Sequence, residues 1–121
     1  MQDQQSLCRA IIGACLDVHK GLGPGFQVNH YQQALLLELS KRGLPYEAGK
    51  QISLEYQGQE VGLHKLDLLV NNEVVLKVVT EERIEPRHYA QVRSYVRAAH
   101  KQVGLLVNFG DFKMDVRRVE V

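Results

Sequence analysis

The sequence predicts one α/β (α+β) domain, a mixed β-sheet flanked by helices in the order ααβββαββ. Three observations predict it. Apolar side chains recur at three- and four-residue steps through the first forty residues, which is the period of a helix face. Residues 46–80 then switch to period two and to β-branched side chains, as strands do. After Pro86 a further helical stretch leads into residues 103–109, apolar on both faces like a buried strand reached by a crossover helix.

The first helix spans roughly residues 3–20, with Leu7, Ile11, Ala14 and Val18 inward. Gly21-Leu22-Gly23-Pro24-Gly25 ends it, because three glycines and a proline favour backbone angles that a helix forbids. A second helix, about residues 27–41, turns Tyr31, Ala34, Leu35 and Leu39 to the core and stops at Gly43. Ile52, Leu54 and Tyr56 alternate along a strand over 46–56, and Gln57-Gly58 makes a hairpin turn. The next strand runs from Val61 to Val70, and Asn71-Asn72 turns the chain, since Asn tolerates positive φ. Residues 73–80 (EVVLKVVT) are the most β-branched stretch and form a central strand. Pro86 opens a third helix that reaches about His100, with Tyr89, Val92, Val96 and Ala99 inward. A strand over 103–109 and a last one ending near Val121 complete the order.

With 121 residues and neither repeat nor linker, the expected unit is a single domain over 1–121. Fifteen Lys+Arg against 14 Asp+Glu give a net charge of +1, so the overall charge makes no case for nucleic acid or anionic membrane. No apolar run approaches the ~18 residues that span a bilayer. The N-terminal stretch lacks the basic region of a signal peptide, and Asp3, Arg9 and Asp17 interrupt its apolar residues. Cys8 and Cys15 lie seven apart on the first helix, about 10 Å along its axis, too far for an internal disulfide. Two buried thiols in a reducing cytoplasm are expected.

Several chemistries are excluded. The five histidines (His19, His30, His64, His88, His100) show no metal-ligand spacing and read as surface or helix-end residues. The glycine run lacks the strand-before, helix-after setting of a dinucleotide loop and reads as a helix–helix connection. No serine stands in a nucleophile elbow.

Three stretches carry a resemblance: IIGACLDVHKGLGPGFQVNHYQQALLLELSKRGLPYE, LDLLVNNEVVLKVV and QVGLLVNFGDFKMDVRRV. They resemble the small bacterial proteins named for a Gly-x-x-Glu-x-x-Tyr motif, a family of the PD-(D/E)xK nuclease-like superfamily. The resemblance implies a nuclease-like core in which an Asp and a Glu on adjacent strands hold Mg²⁺. It also implies a Lys two residues after that Glu to orient water, and a Glu from an early helix. Carried across residue by residue, Gly25 and Tyr31 keep the family motif while Val28 takes its Glu position. Asp67 matches the strand Asp, Lys77 takes the metal-binding Glu position, and Val79 takes the Lys position. Gln91 and Tyr95 keep a Gln-x-x-x-Tyr spacing that lies near the site in some of these nucleases.

Three of four catalytic positions are thus altered, and the relic positions Val28, Asp67, Lys77 and Val79 imply no metal and no catalytic residue. Lys77 would set a cation where Mg²⁺ should sit, and a single Asp is a poor Mg²⁺ site. An ion pair between Lys77 and Asp67 is expected to seal the place. Its loss in Asp67→Ala would then destabilise by about 3–5 kcal/mol. The expected role is a catalytically inactive binding or assembly module for nucleic acid or protein, without cofactor. Two alternatives remain open. One is a Mg²⁺-dependent nuclease using Asp67 with a migrated Glu81, or Glu82 after a bulge. The other is a structural homodimer through the first helix or an edge strand. A basic stripe of Arg93, Arg97 and Lys101, with Arg87 and His100 nearby and Tyr89 and Tyr95 as aromatic neighbours, is the candidate nucleic-acid surface, and Gln91 is counted with it.

Overall fold

The structure is a computed structural model that describes residues 3–121; the first two residues of the expected domain lie outside the described residues. Helix α1 (Gln4–Leu22) starts where the Asp3 carboxylate accepts the Ser6 N–H at 2.7 Å. That bond holds the Asp3 carboxyl below its ordinary range. Leu7, Ile11, Ala14 and Val18 are buried as expected, together with both cysteines, which are free thiols. Helix α2 (Val28–Lys41) buries Tyr31, Leu35 and Leu39. Tyr31 also fixes the glycine loop between the helices: its hydroxyl donates to the Gly23 carbonyl at 2.6 Å and accepts the Phe26 N–H at 3.2 Å. Gly25 holds φ +106° there, a conformation that side chains rarely adopt.

Each of the first two expected strands divides in two. Residues 46–56 become β1 (Tyr46–Ala48) and β2 (Gln51–Tyr56), broken at Gly49 with φ +69°. Residues 61–70 become β3 (Gln59–Lys65) and β4 (Leu68–Val70), broken at Leu66-Asp67. The β2–β3 hairpin thereby leaves the main sheet and forms a two-stranded sheet of its own. The main sheet has the order β1-β4-β5-β6-β7, with β5 (Val74–Val79) parallel to β6 (Val103–Asn108) and every other neighbour antiparallel, including β7 (Asp115–Glu120). Both expected turns form with positive φ, at Gln57-Gly58 and Asn71-Asn72.

Helix α3 (Pro86–Ala98) crosses from β5 to β6. The sheet separates two apolar layers, since side chains alternate along a strand. Val74, Leu76 and Val78 join the layer under α1 and α2, whereas Val75 and Val79 join Val92 and Val96 of α3. Gly104 lets α3 close on β6, because a Cβ there would lie 2.7 Å from Val96 and 2.8 Å from Val92. Among the described residues no helix is long and apolar enough to cross a membrane.

Candidate functional site

Asp67 sits at the break between β3 and β4. The ladder of β4 begins at Leu68, opposite Leu76, so the Val78 N–H of β5 lies beyond its reach. The Asp67 carboxylate takes that N–H, accepting it at 3.0 Å. Sequence reasoning anticipated an ion pair from Asp67 to Lys77, and none joins them among the described residues. Lys77 projects from the opposite parity of β5, on the α3 side, where its ammonium lies 5.8 Å from the centre of the Tyr95 ring. His64 of β3 stacks on that same ring, with centroids 4.2 Å apart and planes 25° from parallel. Sequence spacing gave no signal for His64, since its approach depends on how the detached hairpin folds over α3.

Val79 is 7% exposed within the α3-side layer, while Val28 packs against the layer under α1 and α2. The sheet therefore divides the relic positions. Asp67 borders a cleft of about 310 Å³ with Gln32, Gln33 and Leu36 of α2 and with Gly49 and Lys65.

Glu81 and Glu82 lie elsewhere, bordering a cavity of about 370 Å³ with Arg83 and Glu85 that shares no residue with the Asp67 cleft. The Glu81 carboxylate faces the start of α3, 3.5 Å from His88 Nε2 and 3.8 Å from the Arg87 guanidinium. Its backbone is clasped by Asn108, whose side-chain oxygen accepts the N–H of Glu81 at 3.0 Å and that of Gly110 at 2.9 Å. The Asn108 amide donates back to the Glu81 carbonyl at 3.0 Å. His88, one of the histidines read as surface or helix-end, stands at the start of α3 and is only 2% exposed. Its Nδ1 accepts the Glu85 N–H at 2.9 Å and so caps α3. Among the described residues, no three His, Cys, Asp or Glu side chains converge as a bound metal ion would require.

Arg93 and Arg97 share one flank of α3, as their four-residue spacing requires, and Gln91 and Tyr95 lie on another. At ~100° per residue, Arg93 and Arg97 stand about 200° from Gln91 and Tyr95 around the α3 axis. The first pair is exposed on one flank, and Tyr95 is half-buried on the other against His64 and Lys77. Lys101, just past the helix, donates to Asn72 Oδ1 at 3.2 Å. Arg87 is engaged by Glu85 at 3.2 Å, while Arg97 and His100 border a groove of about 380 Å³ with Ser53 and Glu55 of β2. Between the flanks, the outer face of α3 carries Ala90 and Ser94, both exposed and small.

A family model described as the PD-(D/E)XK nuclease superfamily matches residues 5–119, nearly the whole chain. The chain belongs to the PD-(D/E)XK nuclease superfamily. Among solved structures, this superfamily member is similar to the crystal structure of SSO0001, with a TM-score of 0.61 at 13% sequence identity. The likeness covers 76% of this chain and 48% of that one, so the chain spans about half the length of that neighbour, and at this identity it speaks for the fold alone. No curated protein matches the sequence. The three-helix, mixed-sheet architecture is the one expected of a PD-(D/E)XK domain, with β5 central and α3 as its crossover.

Proposed function

We propose that this chain is a catalytically silent nuclease-fold module, of the Gly-x-x-Glu-x-x-Tyr type it resembles, that binds nucleic acid in a reducing cytoplasm. One observation carries the reading: of the four positions that would hold and use Mg²⁺, only Asp67 offers an oxygen, and it already accepts the Val78 N–H. Mg²⁺ demands near-octahedral oxygen ligands. Valines at 28 and 79 supply none, and Lys77 offers an ammonium on the α3 side instead of a carboxylate, so these residues do not fit the metal. Arg93 and Arg97 support the binding role, because both are exposed and neither takes part in an ion pair among the described residues. Arg87, in contrast, is neutralised by its glutamates.

The test joins two measurements. Supercoiled plasmid incubated with the protein in Mg²⁺ or Mn²⁺ stays intact, and a labelled oligonucleotide binds with an affinity that falls with salt. Arg93→Gln with Arg97→Gln weakens that binding. Nicking that disappears in a folded Asp67→Ala variant would establish instead the metal nuclease built on Asp67 and Glu81. A salt-independent failure to bind, together with a dimer by light scattering, would establish the structural homodimer.

A further inference from the structure

The sheet holds a cation without a counter-charge. Lys77 is half-buried in the middle of β5, between Val75 and Val79, and its ammonium rests on Tyr95 rather than on a carboxylate. The nearest acid by strand register, Asp67, has turned to the Val78 N–H. That ammonium has no hydrogen-bond or ion-pair partner among the described residues, and the tyrosine face leaves its N–H donors free to meet an anion. Two further polar groups border that ring rather than the ammonium itself. His64 is stacked on the same tyrosine, and Gln91 is exposed one turn before Tyr95 on the same flank.

We infer that Lys77, with Gln91 and His64 around the Tyr95 ring, forms a metal-independent site for one phosphate of a nucleic-acid strand. The inference rests on the nucleic-acid reading above and deepens it by assigning the place and the charge. A strand leaving this site meets the outer face of α3, where Ala90 and Ser94 let a backbone lie close. Crossing a helix about 10–12 Å wide brings it to Arg93 and Arg97 on the far flank. The two flanks, which do not form one stripe, are thereby joined by the ligand. Lys77 supplies by ammonium the charge that a divalent ion would otherwise bring to the phosphate.

The probe is a fluorescein-labelled single-stranded oligonucleotide, followed by anisotropy across a salt series in EDTA and in Mg²⁺. Wild-type affinity is expected to be equal in the two buffers. Lys77→Gln is expected to weaken binding about tenfold and to lower the slope of log K against log salt by about 0.7, the value of one phosphate contact on a single strand. Lys77→Arg retains most of the affinity. Binding that needs Mg²⁺, or a folded Lys77→Gln protein with unchanged affinity and slope, overturns the Lys77 site while leaving the nucleic-acid reading intact. Absence of any salt-dependent binding by wild type overturns both. Should Lys77→Gln fail to fold, the wild-type Lys77 side-chain NMR resonance titrated with the same oligonucleotide decides. A saturable shift supports the site, and an unmoved resonance overturns it.

Discussion

Asp67→Ala separates two accounts of the carboxylate that sequence reasoning and the folded chain give differently. In the folded chain its partner is a backbone N–H: Val78 donates to Oδ2 at 3.0 Å, just past the end of the β4 ladder. A hydrogen bond to a charged group is worth about 1.5–3 kcal/mol, and an orphaned buried N–H carries a penalty of similar size. Asp67 is half-buried, so water recovers part of the loss. Asp67→Ala should therefore destabilise by about 1–2.5 kcal/mol, below the ~3–5 kcal/mol expected for breaking a buried ion pair. Asp67→Asn keeps an acceptor oxygen and should lose about 1 kcal/mol or less.

Urea denaturation of Asp67→Ala, Lys77→Gln and the double variant measures this directly. Because Lys77 rests on Tyr95 and not on Asp67, the two effects should add within about 0.5 kcal/mol. In thermal melts the Asp67→Ala loss corresponds to roughly 4 °C per kcal/mol for a domain of this size. A coupling energy above about 1.5 kcal/mol, or an Asp67→Ala protein as stable as wild type, would refute the backbone-cap account.

Other expectations follow from single contacts. Tyr31→Phe removes the hydroxyl that bonds Gly23 and Phe26, so stability should fall by about 1–2 kcal/mol and hydrogen exchange should rise at residues 23–27. Asn108→Ala breaks three bonds at a position 1% exposed, and urea unfolding should show a loss of about 3 kcal/mol or more. His88→Ala uncaps α3 and empties a buried ring site, with a loss of about 2 kcal/mol in the same assay. Burial pushes the Cys15 thiol up to about 12 from an ordinary 9.0, so native protein should resist alkylation at pH 8 and take up two labels once denatured. A thiol raised in the folded state stabilises fully below its unfolded value. Stability measured by urea should therefore decline as pH rises from about 9 towards 12, where the unfolded chain ionises and the native one does not.

The helices were legible because each has one periodic apolar face and a sharp stop: Leu7, Ile11, Ala14 and Val18 on α1, and Val92 and Val96 on α3, are all buried. The breaks in the first two strands were less legible. Period-two alternation continues smoothly past Gly49 and Leu66, and nothing local distinguishes a strand that stays in its sheet from one that leaves it. The departure is decided by pairing, with β1 taken by β4 and the β2–β3 hairpin laid over α3 through Ile52, His64 and Tyr95. The positions of Val28, Asp67, Lys77 and Val79 came from the family resemblance, which says nothing of their partners. Spacing says which face a side chain leaves from, not whether an unpaired N–H at a strand end will claim it. On α3, Arg93 and Arg97 share one flank at four-residue spacing, while Gln91 and Tyr95, two residues from them, fall on the nearly opposite one.

The residues that carry the resemblance have structural work in this chain that is independent of cleavage. Gly25 and Tyr31 shape and clamp the loop between α1 and α2, and the Tyr31 ring stacks on Phe109 at 4.7 Å, tying both helices to the end of β6. Tyr95 anchors the detached hairpin through His64. Asn108 and Gly110 clasp Glu81, and a Cβ on Gly110 would fall 2.5 Å from the Glu81 carbonyl. Even Asp67 closes a sheet edge. A chain can therefore carry most of these signals for the sake of folding alone. That separates the two experimental axes: stability should track Tyr31, Asn108 and Asp67, whereas oligonucleotide affinity should track Lys77, Arg93 and Arg97 with little change in melting temperature. One residue moving both quantities together, in a variant that keeps its fold, would show that scaffold and surface are not separable.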